Sequence, residues 1–266
     1  MRVTAIIMAI SLMISVPAWA TGEQDLKKAV DCNKAGEYQM AVDFLDQAIA
    51  SKELEPGDLR SAYVFRAFAK KKMNMFHAAL EDYGRAAASK PEYENDSFFL
   101  VGRGEAYVGD GDWAKAMADF EKAVKLDPQS GAALNSRAVL RRKSGEFDKA
   151  LQDHYQALTI SPWLWQGMAD LAWLLATCPD DKYRDGAKAV QIAEQAVRYR
   201  ITPDTLDALA AAYAETKDYA RAVKVEEAAV HLLTHKWESE RAEVFRKHLE
   251  SYKAGKPWRE ELGKKE

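Results

Sequence analysis

RGEAYVGDGDWAKAMADFEKAVKLDP, residues 103–128, decides the reading of this chain, because two other stretches lie over it without a gap. They are RAFAKKKMNMFHAALEDYGRAAASKP at 66–91 and RAVLRRKSGEFDKALQDHYQALTISP at 137–162. Self-similarity of this kind marks an array whose units bury their apolar faces against one another. In each block a small residue follows the arginine (Ala67, Gly104, Ala138), and an aromatic comes nine later (Phe76, Trp113, Phe147). An alanine stands three beyond (Ala79, Ala116, Ala150), a second seven further on, and a proline five after that (Pro91, Pro128, Pro162). The small residues let two helices approach, the aromatic fills the space between them, and the proline, with no N–H to donate, ends the second. Each block is predicted to be a helical hairpin.

This spacing resembles the tetratricopeptide repeat (TPR). Residues 97–128 fit best, with Leu100, Gly104, Tyr107, Gly111, Trp113, Ala116, Phe120, Ala123 and Pro128 all on the pattern. Three weaker units flank the central three. Ala29, Gly36, Tyr38, Ala41 and Ala48 mark one at the start, and Leu206, Leu209, Ala210, Tyr213, Tyr219, Ala222 and Ala229 mark one at the end. Between them Leu171, Ala172 and Leu175 share a helix face, but Ala189 follows Ala172 by 17 residues where 12 is the norm, so the turn at 178–185 must be longer. The alanines at repeat position 20 are residues 41, 79, 116, 150, 189 and 222, in steps of 38, 37, 34, 39 and 33.

The expectation is an all-α, right-handed α-solenoid of six hairpins, at about 22–55, 60–93, 97–130, 131–164, 165–202 and 203–236. A capping helix at 239–254, with Ala242, Phe245, Leu249 and Tyr252 on one side, and a tail at 255–266 complete it. Residues 171–186 with SYKAGKPWRE at 251–260 resemble the closing module of many bacterial TPR proteins.

Residues 1–20 read as a signal peptide: Arg2, an apolar run from Ala5 to Val16, then Ala18-Trp19-Ala20. The run is short for a bilayer span, which takes about 20 residues, so export to the periplasm is expected, with no integral membrane segment after cleavage. Removing Arg2 leaves 37 basic and 41 acidic residues, 37 − 41 = −4, which argues against nucleic acid as a partner. Cys32 and Cys178 fall in repeats one and five, too far apart for a disulfide. Both thiols are expected free.

Repeat position 7, normally leucine in the family, is Arg66, Arg103 and Arg137 in repeats two to four, and position 23 is Asp82, Asp119 and Asp153. In repeats five and six the two positions become Leu171 with Ile192 and Leu209 with Val225. Charges that switch together predict direct ion pairs inside the hairpins, because an unpaired charge at that depth is costly.

No nucleophile, base and orienting residue come together in the sequence, so no catalytic residue, metal or cofactor is assigned and the chain reads as non-enzymatic. His231 and His235 stand one helical turn apart without further ligands in a recognised pattern. The family resemblance implies that the first helices of the hairpins line a concave groove. The groove residues would be Phe65, Phe68, Lys71, Lys72, Phe98, Val101, Glu105, Asn135, Val139, Arg142, Lys143 and Trp173, with an acidic end at Asp170, Asp204, Asp207 and Glu215. Such a groove suits an extended or helical peptide of another protein, its acidic part toward repeats two to four. The function expected is a periplasmic scaffold or adaptor. The alternatives are a structural subunit that oligomerises through its end repeats, and an accessory subunit of an envelope enzyme or glycan-processing complex.

Overall fold

In the computed structural model the described residues are 21–89, 95–234 and 238–262. The proposed signal peptide, His235 and the last four residues lie outside them. The described chain is all helical and forms a right-handed solenoid of six hairpins with a capping helix. The hairpins are α1 (Thr21–Ala35) with α2 (Tyr38–Ser51), α3 (Pro56–Lys72) with α4 (Phe76–Ser89), and α5 (Ser97–Asp110) with α6 (Trp113–Leu126). They continue as α7 (Gly131–Lys143) with α8 (Phe147–Ile160), α9 (Trp165–Thr177) with α10 (Gly186–Tyr199), and α11 (Pro203–Glu215) with α12 (Tyr219–Leu232); α13 (Ser239–Lys253) follows. No described helix is long and apolar enough to cross a membrane.

One backbone position recurs in the hairpin turns. Gly36, Asn74, Gly111, Gly145 and Lys217, each five residues before a position-20 alanine, have φ between 59° and 90°: 82°, 60°, 89°, 79° and 65°. A left-handed residue here stops the first helix and turns the chain into the second. Glycine takes this conformation without strain, whereas Lys217 carries a Cβ there. Repeat five has no such residue: its longer turn holds a 3-10 segment at Asp181–Tyr183. That turn is tied down by Arg184, which donates to the carbonyl of Cys178 at 2.7 Å, and by Tyr183, which donates to Asp148 at 2.8 Å. Side-chain caps start most of the later helices, from Asp96, Asp112, Ser130, Asp185, Thr202 and Asp218. Each accepts from a backbone N–H that the helix leaves without a partner.

The repeat alanines Ala41, Ala79, Ala116, Ala150, Ala189 and Ala222 are fully buried at the helix crossings. Close approach is strictest along α5. A Cβ on Gly104 would lie 2.5 Å from the Phe120 ring, and one on Gly109 would lie 2.3 Å from the Phe76 ring of the preceding hairpin.

Each arginine at position 7 grips its aspartate with two hydrogen bonds. Arg66 reaches Asp82 at 2.6 and 2.8 Å, Arg103 reaches Asp119 at 2.8 and 2.8 Å, and Arg137 reaches Asp153 at 2.9 and 2.8 Å. Planar guanidinium on carboxylate is the geometry that best satisfies a buried pair. The environments differ among repeats. Asp82 also receives Lys70 at 2.8 Å and Asp153 receives Arg141 at 2.6 Å, one helical turn beyond the first cation. The corresponding residue of repeat three is Tyr107, so Asp119 lacks a second cation from that position. Arg66 further bonds Asp46 at 2.6 Å, linking repeat two to repeat one. In repeats five and six Leu171, Ile192, Leu209 and Val225 join a single apolar cluster.

The cap helix α13 buries Ala242, Phe245, His248 and Tyr252. His248, next in sequence to the expected Leu249, takes the buried place, for a reason that lies in its partners. Both cysteines are free, Cys32 partly buried and Cys178 buried at the end of α9.

Candidate binding groove

The concave side of the solenoid divides into an open half and a covered half. The open half is a cleft of about 710 Å³ between α1, α3 and α5. Phe65 and Phe68 of α3 form one wall and Phe98 and Val101 of α5 the other, with Lys71, Lys72 and Glu105 at the rim. Phe98 is 77% exposed, which is unusual for so large an apolar side chain on a helix. Phe65 packs its inner edge on the cluster of Leu26, Leu45 and Ala62 and shows the rest to the cleft.

The rim charges are not equivalent. Lys71 is buried and paired with Glu105, whose other oxygen accepts from Ser136 at 3.1 Å. Burial opposes the charge on Glu105, but Lys71 beside it prevails and holds the carboxyl below its usual range. Lys72 has no carboxylate within ion-pair reach among the described residues; burial first, and then Lys71, pull its ammonium below the usual lysine range. Both ammonium groups lie 5.6 Å from the Phe68 ring, close enough for cation–π attraction. Asp204 and Arg241, an ion pair near the far end of the chain, also act on Lys72. Repeat six thus stands within electrostatic reach of repeat two.

Behind the cleft, buried His154 and Asn135 and half-buried Asp170 connect α8, α7 and α9. Asn135 donates to Asp170 at 2.8 Å, and its carbonyl oxygen faces His154 Nδ1 at 3.0 Å. Burial depresses the His154 imidazole to about 3 and raises the Asp170 carboxyl to about 6. His154 is thus a neutral donor, and Asn135 serves as the link between repeats four and five. Val139 is half-buried on the same helix.

The covered half differs from the sequence expectation. Arg142 and Trp173, expected as open groove surface, are taken by the chain's own tail. After Gly255, itself left-handed at φ 67°, the chain runs extended across the ends of α7, α9 and α11. Glu260 pairs with Arg142, and its N–H donates to the Thr177 carbonyl at 3.0 Å. Arg259 pairs with Glu215 at 2.7 Å and also donates to the Ala176 carbonyl at 3.3 Å. The orphan carbonyls at the end of α9 are thereby satisfied by a segment some eighty residues away. Trp258 packs on the repeat-five and repeat-six cluster beside Trp173. Asp207, also expected at the acidic end of the groove, is buried. Lys143 keeps no ion-pair partner among the described residues, and burial, with Arg142, lowers its ammonium. The run PWREE is visible in the sequence, but nothing in its composition says where it docks.

Residues 101–162 match the family profile described as tetratricopeptide repeat. The Photosystem I assembly protein Ycf3 of Rippkaea orientalis is 28% identical over 98 residues, 32% of this chain and 57% of that protein. The chain thus spans a little over half the length of that curated relative. The APC/C hetero-tetramer Cut9–Hcn1 superposes with a TM-score of 0.66 at 14% identity, over 88% of this chain and 44% of the other. PilW, a type IV pilus biogenesis factor, superposes with a TM-score of 0.56 at 18% identity, over 77% and 90%. At such identities the likeness establishes the fold alone.

Proposed function

We propose that this tetratricopeptide repeat protein is a non-enzymatic scaffold, exported to the periplasm, that holds a peptide segment of a partner protein in the open half of its groove. The observation that carries this reading is the pairing of exposed Phe98, with Phe65 and Phe68 opposite, and an unpaired Lys72 at the same rim. Aromatic walls give an apolar side chain somewhere to dock, and a lysine without a carboxylate gives an acidic residue a reason to stop there. Lys71 is already neutralised by Glu105, so Lys72 sets the charge preference. The segment is extended or helical, with its acidic part over repeats two to four. The partial relative is an assembly protein, which accords with a scaffolding role.

Fluorescence polarisation with labelled peptides that join an acidic half to an aromatic half tests the groove directly. Lys72→Glu and Phe65→Ala should each weaken binding at least tenfold, about 1.4 kcal/mol. A crosslinked pull-down from the native envelope with the same variants tests it in place. Equal recovery of every partner by wild type and both variants would remove the groove reading.

A further inference from the structure

The polar residues that the groove does not use gather at the opposite end of the solenoid. Asp207 of α11, Glu226 of α12 and His248 of α13 meet in the seam between repeat six and the cap, and are 7%, 0% and 3% exposed. His248 Nδ1 lies 2.8 Å from Asp207 Oδ1 and 3.9 Å from Glu226 Oε1, and one atom of each residue falls within 4.8 Å of the other two. The Glu226 carboxyl is wholly buried and aimed into this cluster; no N–H or hydroxyl among the described residues donates to either oxygen, and it stands close enough to the Asp207 carboxyl to share a proton with it when no cation is bound. The hydroxyl of Tyr252, one helical turn beyond His248 on α13, is likewise buried and without a hydrogen-bond partner among the described residues. Among the described residues no lysine or arginine pairs with either carboxylate.

Two carboxylates around one imidazole in an apolar seam need positive charge. A divalent ion supplies it in full with the imidazole neutral. Ligation by one nitrogen and two oxygens suits a borderline ion such as zinc, while calcium and magnesium call for more oxygen ligands than stand here. A tetrahedral ion with bonds of about 2.0–2.1 Å holds its ligand atoms about 3.3 Å apart. The observed separations of 2.8 and 3.9 Å straddle that value. The shell behind the imidazole is aromatic, with Trp258, Trp173 and Phe245 ring centroids at 4.5, 5.2 and 5.8 Å.

We propose that Asp207, Glu226 and His248 form a mononuclear site for a divalent transition cation of the zinc class, with the Tyr252 hydroxyl or a water as fourth ligand. One ligand comes from each of the last three helices, so the ion clasps the cap to repeat six. Because Trp258 packs against His248, the rings tilted by 51°, the same clasp steadies the tail that covers the second half of the groove. The competitor is protons alone: one shared by the carboxylates and one on the imidazole leave the seam neutral as well.

The test uses the full mature chain with Cys32→Ala and Cys178→Ala, which removes thiols as rival ligands, stripped with chelator and titrated with zinc chloride. One equivalent should bind with a rise in Tm, and cobalt(II) in its place should give tetrahedral visible bands. The isosteric variants Glu226→Gln and His248→Gln should bind at least a hundredfold more weakly, whereas His231→Gln should not change. Zinc should also slow proteolysis in the α12–α13 connection of the parent. Failure of the folded parent to bind one equivalent, or undiminished binding by both glutamine variants, would overturn the site and leave the proton triad. Neither result touches the peptide groove, which is read by a separate assay.

Discussion

Repeats two to four and repeats five to six solve the same packing problem in opposite ways. At the crossing between the two helices of a hairpin, the first group places an arginine on an aspartate, and the second places leucine on isoleucine or valine. Both fill the space. The apolar solution is stable by simple burial, roughly 25 cal/mol for each Å² removed from water. The ionic one must first desolvate two charges, and a buried ion pair adds little net stability over an apolar pair of similar volume. What it adds is register, since a hairpin shifted by one residue loses both hydrogen bonds. Lys70 and Arg141 give repeats two and four a second cation, so their aspartates survive the loss of one partner better than Asp119 does.

The largest effect that tests this contrast is on repeat three. Arg103→Leu takes both guanidinium hydrogen bonds from buried Asp119, with no cation at the Tyr107 position to replace them, and should cost about 3 kcal/mol in urea denaturation, the lower end of the range for a broken buried pair because Asp119 keeps an edge on solvent. Arg137→Leu should cost clearly less, because Arg141 still holds Asp153. The double variant Arg103→Leu with Asp119→Val, which copies repeat six, should recover most of the loss. If the double variant is as unstable as the single, the two groups of repeats are not interchangeable and the contrast fails.

A smaller effect appears with pH at the junction between the groups. His154 has its imidazole depressed from the ordinary 6.5 to about 3 by burial, so in the window between those values the unfolded chain binds a proton that the folded chain refuses. Stability is therefore lost as pH falls through this window, by about 1.4 kcal/mol per pH unit. Asp170, raised to about 6, acts with the opposite sign between about 3.8 and 6, where the folded state keeps a proton the unfolded one releases. Denaturation midpoints of wild type and His154→Gln across pH 3.5 to 7 isolate the histidine contribution. Parallel curves would show that His154 is not held neutral.

The smallest effect concerns the turns. Repeats three and four place glycine at the left-handed position and repeat six places Lys217 there, at φ 65°. Lys217→Gly should raise stability by about 0.5–1 kcal/mol, since the strain of a Cβ at positive φ exceeds the extra entropy glycine gives the unfolded chain. The measurement is the urea midpoint, and a fall on substitution would mean that the lysine side chain has a stabilising contact of its own.

Legibility in the sequence follows from the same contrast. Position-20 alanines, turn glycines and the Arg–Asp switch recur at a fixed spacing, and a feature that repeats can be checked against its copies. Phe65, Phe68 and Phe98 were legible as positions on the first-helix face for that reason, and they line one cleft. Arg142 and Trp173 were legible only as positions on a helix face, and their partners, Glu260 and Trp258, sit on a tail with no repeat to compare. The second cations, Lys70 and Arg141, do not stand out in the sequence because repeat three carries Tyr107 in their place and breaks the pattern.

The sequence by itself determined the hairpins, their number and the helix pairs that share charge, because each of those is a contact between residues a fixed distance apart within one unit. Only the tertiary structure decided that the tail lies across repeats four to six, that charges of repeat six act on Lys72 of repeat two, and that Asp207, Glu226 and His248 converge. These are contacts between residues with no shared period. They arise from the superhelical curl and from the end of the array, where the last apolar face has no further repeat to cover it and the cap and tail must do so instead.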